Sequence, residues 1–306
     1  MRMLLPIYIL LMIVITVKII SDFKSALGQG SFLYKIFIAA LLPLILSSCT
    51  SRLELAQDIA FSAHSSERKI ISKPFVITVF EHIKNKGKPA NIYIEGDGFA
   101  WVDRFTPSID PTPSNPVALK LAALDEGENV IYMARPCQYS KMSDAEKPCE
   151  VKYWTSKRFA PEVISSMNNT LDEIKQRYKL KEFNLIGFSG GAAVAILIAA
   201  KRNDVASIRS IAGNLDHEVT NRIHNVSQLD GSLNPADVAR QVANIPQHHF
   251  LGKDDEIITA EVYQSYRKTS GDSHCLRFSF VEDASHENGW DKKWKSLLKV
   301  PLYCSN

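Results

Sequence analysis

The sequence predicts an α/β fold, with a mostly parallel central sheet and helices on both of its faces. Short apolar runs typical of buried strands alternate with helical patterns from about residue 75 to the end of the 306-residue chain. Several of these runs are followed by polar residues with catalytic potential. In a parallel sheet the carboxyl ends of the strands lie at one edge, so these residues are expected to be close together. One run, 183–186, passes through a tight glycine turn directly into an apolar helix.

The predicted strands are short and rich in Val, Ile and Phe, as buried strands usually are. They cover residues 75–80, 91–94, 129–134, 183–186, 205–212, 248–251 and 275–281. One predicted helix begins at Pro116, and others cover 161–178, 192–200 and 235–245. The last is an amphipathic stretch from Trp290 to Leu298. In the helix 161–178, apolar residues recur at steps of three and four, which indicates a core-facing side and no cofactor site.

The N-terminus contains two apolar runs, 4–20 and 36–46, and the second leads into Leu46-Ser47-Ser48-Cys49. A basic residue, an apolar core and small residues are typical of a secretory signal. The four residues resemble the bacterial lipoprotein signal, in which the cysteine becomes the lipidated first residue. We therefore expect a targeting segment at 1–48, a tether at 49–73 and a folded domain at 74–306. Either translation starts downstream of residues 1–30, or these residues contain a membrane helix at the short limit for a span.

The resemblance to lipoproteins implies a location in the bacterial cell envelope, anchored through Cys49 and facing the periplasm. Thr50 stands where an aspartate would favour the inner membrane, which makes the outer membrane the expected site. Residues 1–48 carry a net charge of +3, equal to that of the whole chain, so the remainder is neutral. A neutral domain gives no support for nucleic-acid binding.

Four cysteines remain after Cys49, and an even number in an exported chain suggests two disulfides with three possible connectivities. We favour Cys137–Cys149 and Cys275–Cys304 because both close local loops. The sequence contains no CxxC pair and no histidine-rich cluster, so a metal site is not expected.

The segment Gly187-Phe188-Ser189-Gly190-Gly191 follows a predicted strand and opens a predicted helix. In this context Gly-x-Ser-x-Gly indicates a nucleophilic serine raised above the sheet. The N–H of Gly190, at the start of the helix, can point at a developing oxyanion. The plainer alternative is an ordinary strand-to-helix turn with a capping serine.

Two later strands end in residues that complete this chemistry. Gly252-Lys253-Asp254-Asp255 follows one, and His286 follows the last. With the serine motif, this order resembles the α/β-hydrolase superfamily from about Phe75 to the end. The resemblance places the acid at Asp255, with Asp254 and Asp216 as alternatives, and the base at His286, with His217 as the fallback.

The resemblance also implies a second oxyanion donor in the turn Glu95-Gly96-Asp97-Gly98. Many members have His-Gly-x-Gly here, and Glu95 departs from that pattern. Since the donor is a backbone N–H, the expected group is that of Asp97, with Gly98 next. About twenty polar residues separate the strand 205–212 from the helix at Pro235, so the lid insertion is expected to be short.

The expected function is that of a serine hydrolase of the carboxylesterase type, which cleaves a small to medium ester or thioester through an acyl-enzyme at Ser189 without a cofactor. A peptidase or amidase, or a catalytically silent binding protein of the envelope, are the alternatives. Arg135 is either a ligand for a substrate carboxylate or part of an ion pair. Five aromatic residues could line an acyl pocket or belong to the core: Phe99, Trp101, Phe105, Tyr153 and Trp154.

Overall fold

The computed structural model describes residues 51–140 and 149–305, so the predicted signal at 1–48 and the lipidation site Cys49 lie outside the described residues. The strands are β1 (Ser66–Ser72), β2 (Phe75–Ile83), β3 (Ala90–Ile94), β4 (Asn129–Met133), β5 (Phe183–Phe188), β6 (Val205–Ile211), β7 (Gln247–Gly252) and β8 (Leu276–Val281). The α-helices are α1 (Arg52–Ser62), α2 (Val117–Ala123), α3 (Pro161–Tyr178), α4 (Gly190–Ala199), α5 (His217–Ile223), α6 (Pro235–Val238), α7 (Ala260–Thr269) and α8 (Trp290–Leu297).

The eight strands form one sheet in the order β1-β2-β4-β3-β5-β6-β7-β8. The pairs β1–β2 and β2–β4 are antiparallel, and every pair from β4 to β8 is parallel. The predicted mostly parallel sheet is therefore confirmed. Strand β5 lies near the middle of the parallel part, between β3 and β6, so the loops after these three strands meet at one edge of the sheet.

Helices cover both faces of the sheet. One apolar core packs α3, α4 and α7 against the strands, and the other packs α1, α2 and α8 against the opposite face. Every residue of α4 is buried, because this helix is apolar on all sides and lies inside the domain. The amphipathic α3 begins at Pro161 and ends at Tyr178, as its periodicity predicts.

The expectation of a tether at 49–73 is wrong for most of that segment. Residues 52–62 form α1, which buries Ala56 and Ala60. Strand β1 pairs along its whole length with β2 and buries Ile70 and Ser72. Its sequence, with only two apolar residues, becomes a strand because the neighbouring strand supplies the backbone partners.

The helix predicted at 235–245 is regular only from Pro235 to Val238. Beyond it, Gln241 and Ile245 donate hydrogen bonds to the carbonyl groups three residues earlier, a tighter pattern than in an α-helix. The Gln247 side chain donates to the Val242 carbonyl. These bonds replace the α-helical pattern over the second half of the segment.

Both favoured disulfides are present, Cys137–Cys149 and Cys275–Cys304. The segment between β6 and α6 contains one short helix, α5, so the lid insertion is small. None of the helices within residues 51–140 and 149–305 is long and apolar enough to cross a membrane.

Candidate active site

Ser189 lies at the junction of β5 and α4 with a strained backbone (φ 50°, ψ −119°). A side chain in this region costs conformational energy, so the surrounding structure must hold it there. The Ser189 N–H donates to the Ile211 carbonyl, and the Ser189 carbonyl accepts from Ala192 and Asn214. A Cβ atom on Gly191 would lie 2.1 Å from the Ile94 carbonyl oxygen, so only glycine fits this turn.

The structure brings the predicted serine, acid and base into one chain of hydrogen bonds. His286 Nε2 lies 3.0 Å from Ser189 Oγ, and His286 Nδ1 lies 3.0 Å from Asp255 Oδ2. The Asp255 side chain is fully buried, and its Oδ1 accepts from the N–H groups of Ile257 and Ile258 at 2.8 and 2.9 Å. A carboxylate accepts only, so Nδ1 carries the imidazole proton and Nε2 is free to accept the proton of Ser189.

A residue of helix α8 holds the loop that carries His286. Trp290 Nε1 donates to the carbonyl groups of Ser285 and His286, at 2.9 and 3.0 Å. The Phe188 ring lies 5.3 Å from the imidazole. A buried indole and a neighbouring ring thus fix the base over the end of β5.

The alternative acids and base lie outside this chain of hydrogen bonds. Asp254 is exposed, and its N–H donates to Ala284. Asp216 caps α5 and accepts from Ser265 and Asn234. His217 is buried and stacks on Phe159, and burial lowers its pKa.

The two predicted oxyanion donors lie next to each other. Gly190 is the first residue of α4, and a Cβ atom on it would lie 2.2 Å from Asp97 Oδ1. No described residue accepts a hydrogen bond from the N–H of Gly190 or of Asp97. Both donors are thus available beside Ser189 for a substrate oxygen.

The Asp97 side chain forms a largely buried ion cluster with two arginines, in which Arg135 is buried and Asp97 and Arg158 are partly exposed. Its Oδ1 lies 3.2 Å from Arg135 Nη1 and its Oδ2 lies 2.7 Å from Arg158 Nη1. Burial alone would raise the pKa of Asp97, but the guanidinium groups of Arg158 and Arg135 hold it below its usual range. Arg135 is only 4% exposed and also donates to the Arg158 carbonyl. It therefore braces the oxyanion turn and does not face a substrate.

Glu95, where many α/β-hydrolases have histidine, ties the same turn to α2. Its Oε1 accepts from the N–H groups of Gly96 (2.9 Å) and Ala118 (3.4 Å), and Tyr132 donates to its Oε2 at 3.1 Å. Burial raises the pKa of Glu95 to about 7, although these hydrogen bonds oppose the rise. The carboxyl group thus supports the backbone of the turn.

A cleft of about 550 Å³ lies between residues 101–107 and residues 221–229, with Arg158 in its lining. Ser189 and His286 do not line this cleft. Arg158 connects it to the oxyanion turn, because Arg158 contacts Asp97 and Asp97 packs against Gly190. Of the five candidate aromatic residues, Trp101 and Phe105 line it. Tyr153 and Trp154 belong to the core, and Phe99 lies under the Arg52 guanidinium.

Sequence reasoning missed the supports of the site. Arg158 lies 61 residues after Asp97 and in a loop without a recognisable motif. The sequence predicts Trp290 only as part of an amphipathic helix, whereas its indole also donates to the loop of His286. The sequence signal for the support of the oxyanion turn is Glu95, a carboxyl group at the position where many α/β-hydrolases have histidine.

Comparison with known proteins agrees with this geometry. The family described as serine hydrolase (FSH1) matches residues 122–279, about half of the chain, a stretch that includes Ser189 and Asp255. No curated protein sequence matches significantly.

Among solved structures, the chain is similar to the esterase Pf2001 of Pyrococcus furiosus (TM-score 0.57, 15% identity, 79% of this chain and 92% of the esterase covered). It is also similar to an α/β serine hydrolase homologue from Coxiella burnetii (0.52, 17%, 77% and 94%). A third similar structure is XC6422 from Xanthomonas campestris, described as an α/β serine hydrolase without a lid (0.50, 12%, 79% and 97%). At such identities the likeness concerns the fold alone.

We predict that Asp97→Ala lowers the free energy of unfolding by about 3 kcal/mol, because it leaves the buried guanidinium of Arg135 without its carboxylate. Urea denaturation measures the change. Glu126→Ala, which breaks the exposed pair between Lys295 and Glu126, is the matched control and is expected to unfold like the unmodified protein. Equal midpoints for both variants would contradict a structural role for the cluster.

We predict a pH-dependent stability that originates from Glu95. Because its pKa is raised from 4.5 to about 7 in the folded protein, its contribution is fully present below pH 4.5 and is lost as the pH rises through 7. The expected loss in the free energy of unfolding is about 3 kcal/mol. Urea denaturation at several pH values should show this loss in the unmodified protein but not in Glu95→Gln. Parallel pH profiles for the two proteins would disprove it.

Proposed function

Because the chain belongs to the FSH1 family of serine hydrolases, we propose that it is a carboxylesterase-like enzyme that cleaves an ester or thioester through an acyl-enzyme at Ser189. The observation that carries the proposal is the unbroken hydrogen-bond chain from Asp255 through His286 to Ser189. Nucleophile, base and orienting acid stand in the order and geometry that acyl transfer requires.

In the first half of the reaction, Ser189 Oγ attacks the substrate carbonyl carbon while His286 Nε2 takes the hydroxyl proton. The carbonyl oxygen becomes an oxyanion, and the N–H groups of Gly190 and Asp97 stabilise it. Each donor of this kind contributes about 3 kcal/mol to barrier lowering. His286 then gives its proton to the leaving alcohol or thiol, and the acyl group stays on Ser189.

In the second half, His286 Nε2 removes a proton from a water molecule that attacks the acyl carbon. The second tetrahedral intermediate collapses, the acid is released and Ser189 regains its proton from His286. Throughout, Asp255 holds Nδ1 protonated and stabilises the imidazolium that forms twice in the cycle. Each cycle consumes one ester or thioester and one water molecule and needs no other reactant.

The ion cluster behind the oxyanion donors supports ester chemistry electrostatically. One carboxylate, that of Asp97, lies between two guanidinium groups, so the cluster carries a net positive charge near the developing oxyanion. Held charges of this kind need no reorganisation during the reaction. They also keep the backbone of the turn fixed, with its N–H group beside Gly190.

We further propose that the protein is exported and anchored in the bacterial envelope through Cys49. Two disulfides support an oxidising compartment, and the segment 46–49 resembles a lipoprotein signal. In this proposal the domain faces the periplasm, with the outer membrane favoured by Thr50.

We predict hydrolysis of p-nitrophenyl butyrate by the purified protein, and slower release of p-nitroaniline from the matching anilide. Ser189→Ala and His286→Ala should each lower kcat at least about 1,000-fold, and the double variant should be no worse than the single ones, because the residues act as a unit. Ser285→Ala and His274→Ala, which alter neighbouring or exposed side chains, are the matched controls and should stay within about twofold.

A faster reaction with the anilide would favour an amidase. Absence of turnover with every ester, thioester and anilide, in a folded protein, would favour the silent binding protein.

A further inference from the structure

We propose that the face around residues 101–109 docks on a lipid bilayer, and that the substrate is an ester of a membrane amphiphile; the substrate class rests on the proposed esterase function. Four large apolar side chains are exposed within these nine residues: Trp101, Val102, Phe105 and Ile109. Phe105 is 84% exposed and Ile109 is 92% exposed. Such a concentration of apolar surface is typical of an interaction site.

Three of the four exposed residues lie on a hairpin, residues 101–107, and Ile109 follows it. Trp101 pairs with Pro107, and the Val102 N–H donates to the Thr106 carbonyl. At the tip, Asp103 Oδ1 accepts from the N–H groups of Phe105 and Thr106, both at 2.8 Å. The fold thus holds Phe105 outward at the cost of exposing an aromatic ring to water.

The opposite side of the cleft carries apolar side chains as well. Residues 221–229 face the hairpin, and Arg104 Nη2 donates across the gap to the Asn225 carbonyl. Ile223 and Val226 on this side are 37% and 46% exposed. Exposed apolar side chains therefore flank a cleft that Arg158 connects to Asp97 in the oxyanion turn, as expected for an enzyme whose substrate enters from an apolar phase.

The bilayer is favoured as the occupant by the start of the described chain together with the proposed anchor at Cys49, on which this step rests. Helix α1 begins at Arg52, which donates to the carbonyl groups of Asp110 and Thr112 at 3.2 and 2.9 Å. Asp110 follows Ile109 directly, so the chain enters the domain at the base of the exposed segment.

The residues before Arg52 include the apolar runs 4–20 and 36–46 and Cys49. Three residues of extended chain span at most about 11 Å. An anchor at Cys49 therefore keeps residues 101–109 close to the membrane, where a weak apolar contact is strengthened by the high local concentration of lipid.

The native tryptophans provide the first test. The protein has four, of which Trp101 is 39% exposed, whereas Trp154, Trp290 and Trp294 are at most 4% exposed. The full chain is reconstituted into phosphatidylcholine vesicles with or without brominated acyl chains. We expect brominated lipid to quench the fluorescence of the unmodified protein, and Trp101→Phe to lose this quenching. Failure to bind the vesicles, or equal quenching in both proteins, would overturn docking.

The second test compares two double variants of the full chain. Val102→Glu/Ile109→Glu adds charge to the proposed face without altering the cleft lining. Phe61→Glu/Ile71→Glu adds the same charge at residues that are 82% and 76% exposed elsewhere. Each is assayed with soluble p-nitrophenyl butyrate and with a long-chain fluorogenic ester held in phosphatidylcholine vesicles.

We expect the first variant to lose at least tenfold activity on the vesicle-held ester only, and the second to lose none. Equal loss on both esters, or no loss, would overturn the docking proposal. Inactivity of the unmodified protein on both the soluble and the vesicle-held ester would instead refute the esterase, and the quenching test would still decide docking. Dimers that dissociate on Ile109→Glu would show that a second copy covers this face and would overturn the proposal.

Discussion

The site depends on the strained turn at Ser189. A left-handed backbone at a non-glycine residue is maintained only where the surroundings determine it, and here they do so from three strands. Ile211 at the end of β6 accepts from the Ser189 N–H, Gly191 packs against the carbonyl of Ile94 in β3, and β5 itself delivers the serine. The parallel sheet therefore serves to bring three strand ends together at one point.

The second constraint is the bracing of the turn after β3. Asp97 and Glu95 both turn their carboxyl groups inward, but their pKa values shift in opposite directions for different reasons. Two arginines keep Asp97 ionised, whereas burial raises the pKa of Glu95 towards neutrality. Together they anchor the turn after β3, whose Asp97 side chain packs against Gly190 beside the nucleophile.

Much of this arrangement could be predicted from the sequence, because the informative signals are local. The glycine turn around Ser189, and the acid and histidine that follow later strands, are each visible within a few residues. Strand β1 was missed because its sequence contains only two apolar residues and needs β2 to define it. The cluster of Asp97 with Arg135 and Arg158 was missed because its members are 38 and 61 residues apart, a distance that only the fold closes.

The most direct test of the central claim is the position of a covalent adduct. A fluorophosphonate reacts with a serine only when a base activates it. After treatment of the purified protein, peptide mass spectrometry should locate the phosphonyl group on Ser189, and His286→Ala should remove the label. A protein that stays unlabelled while a control hydrolase reacts, or a label on another serine such as Ser285, would contradict the account.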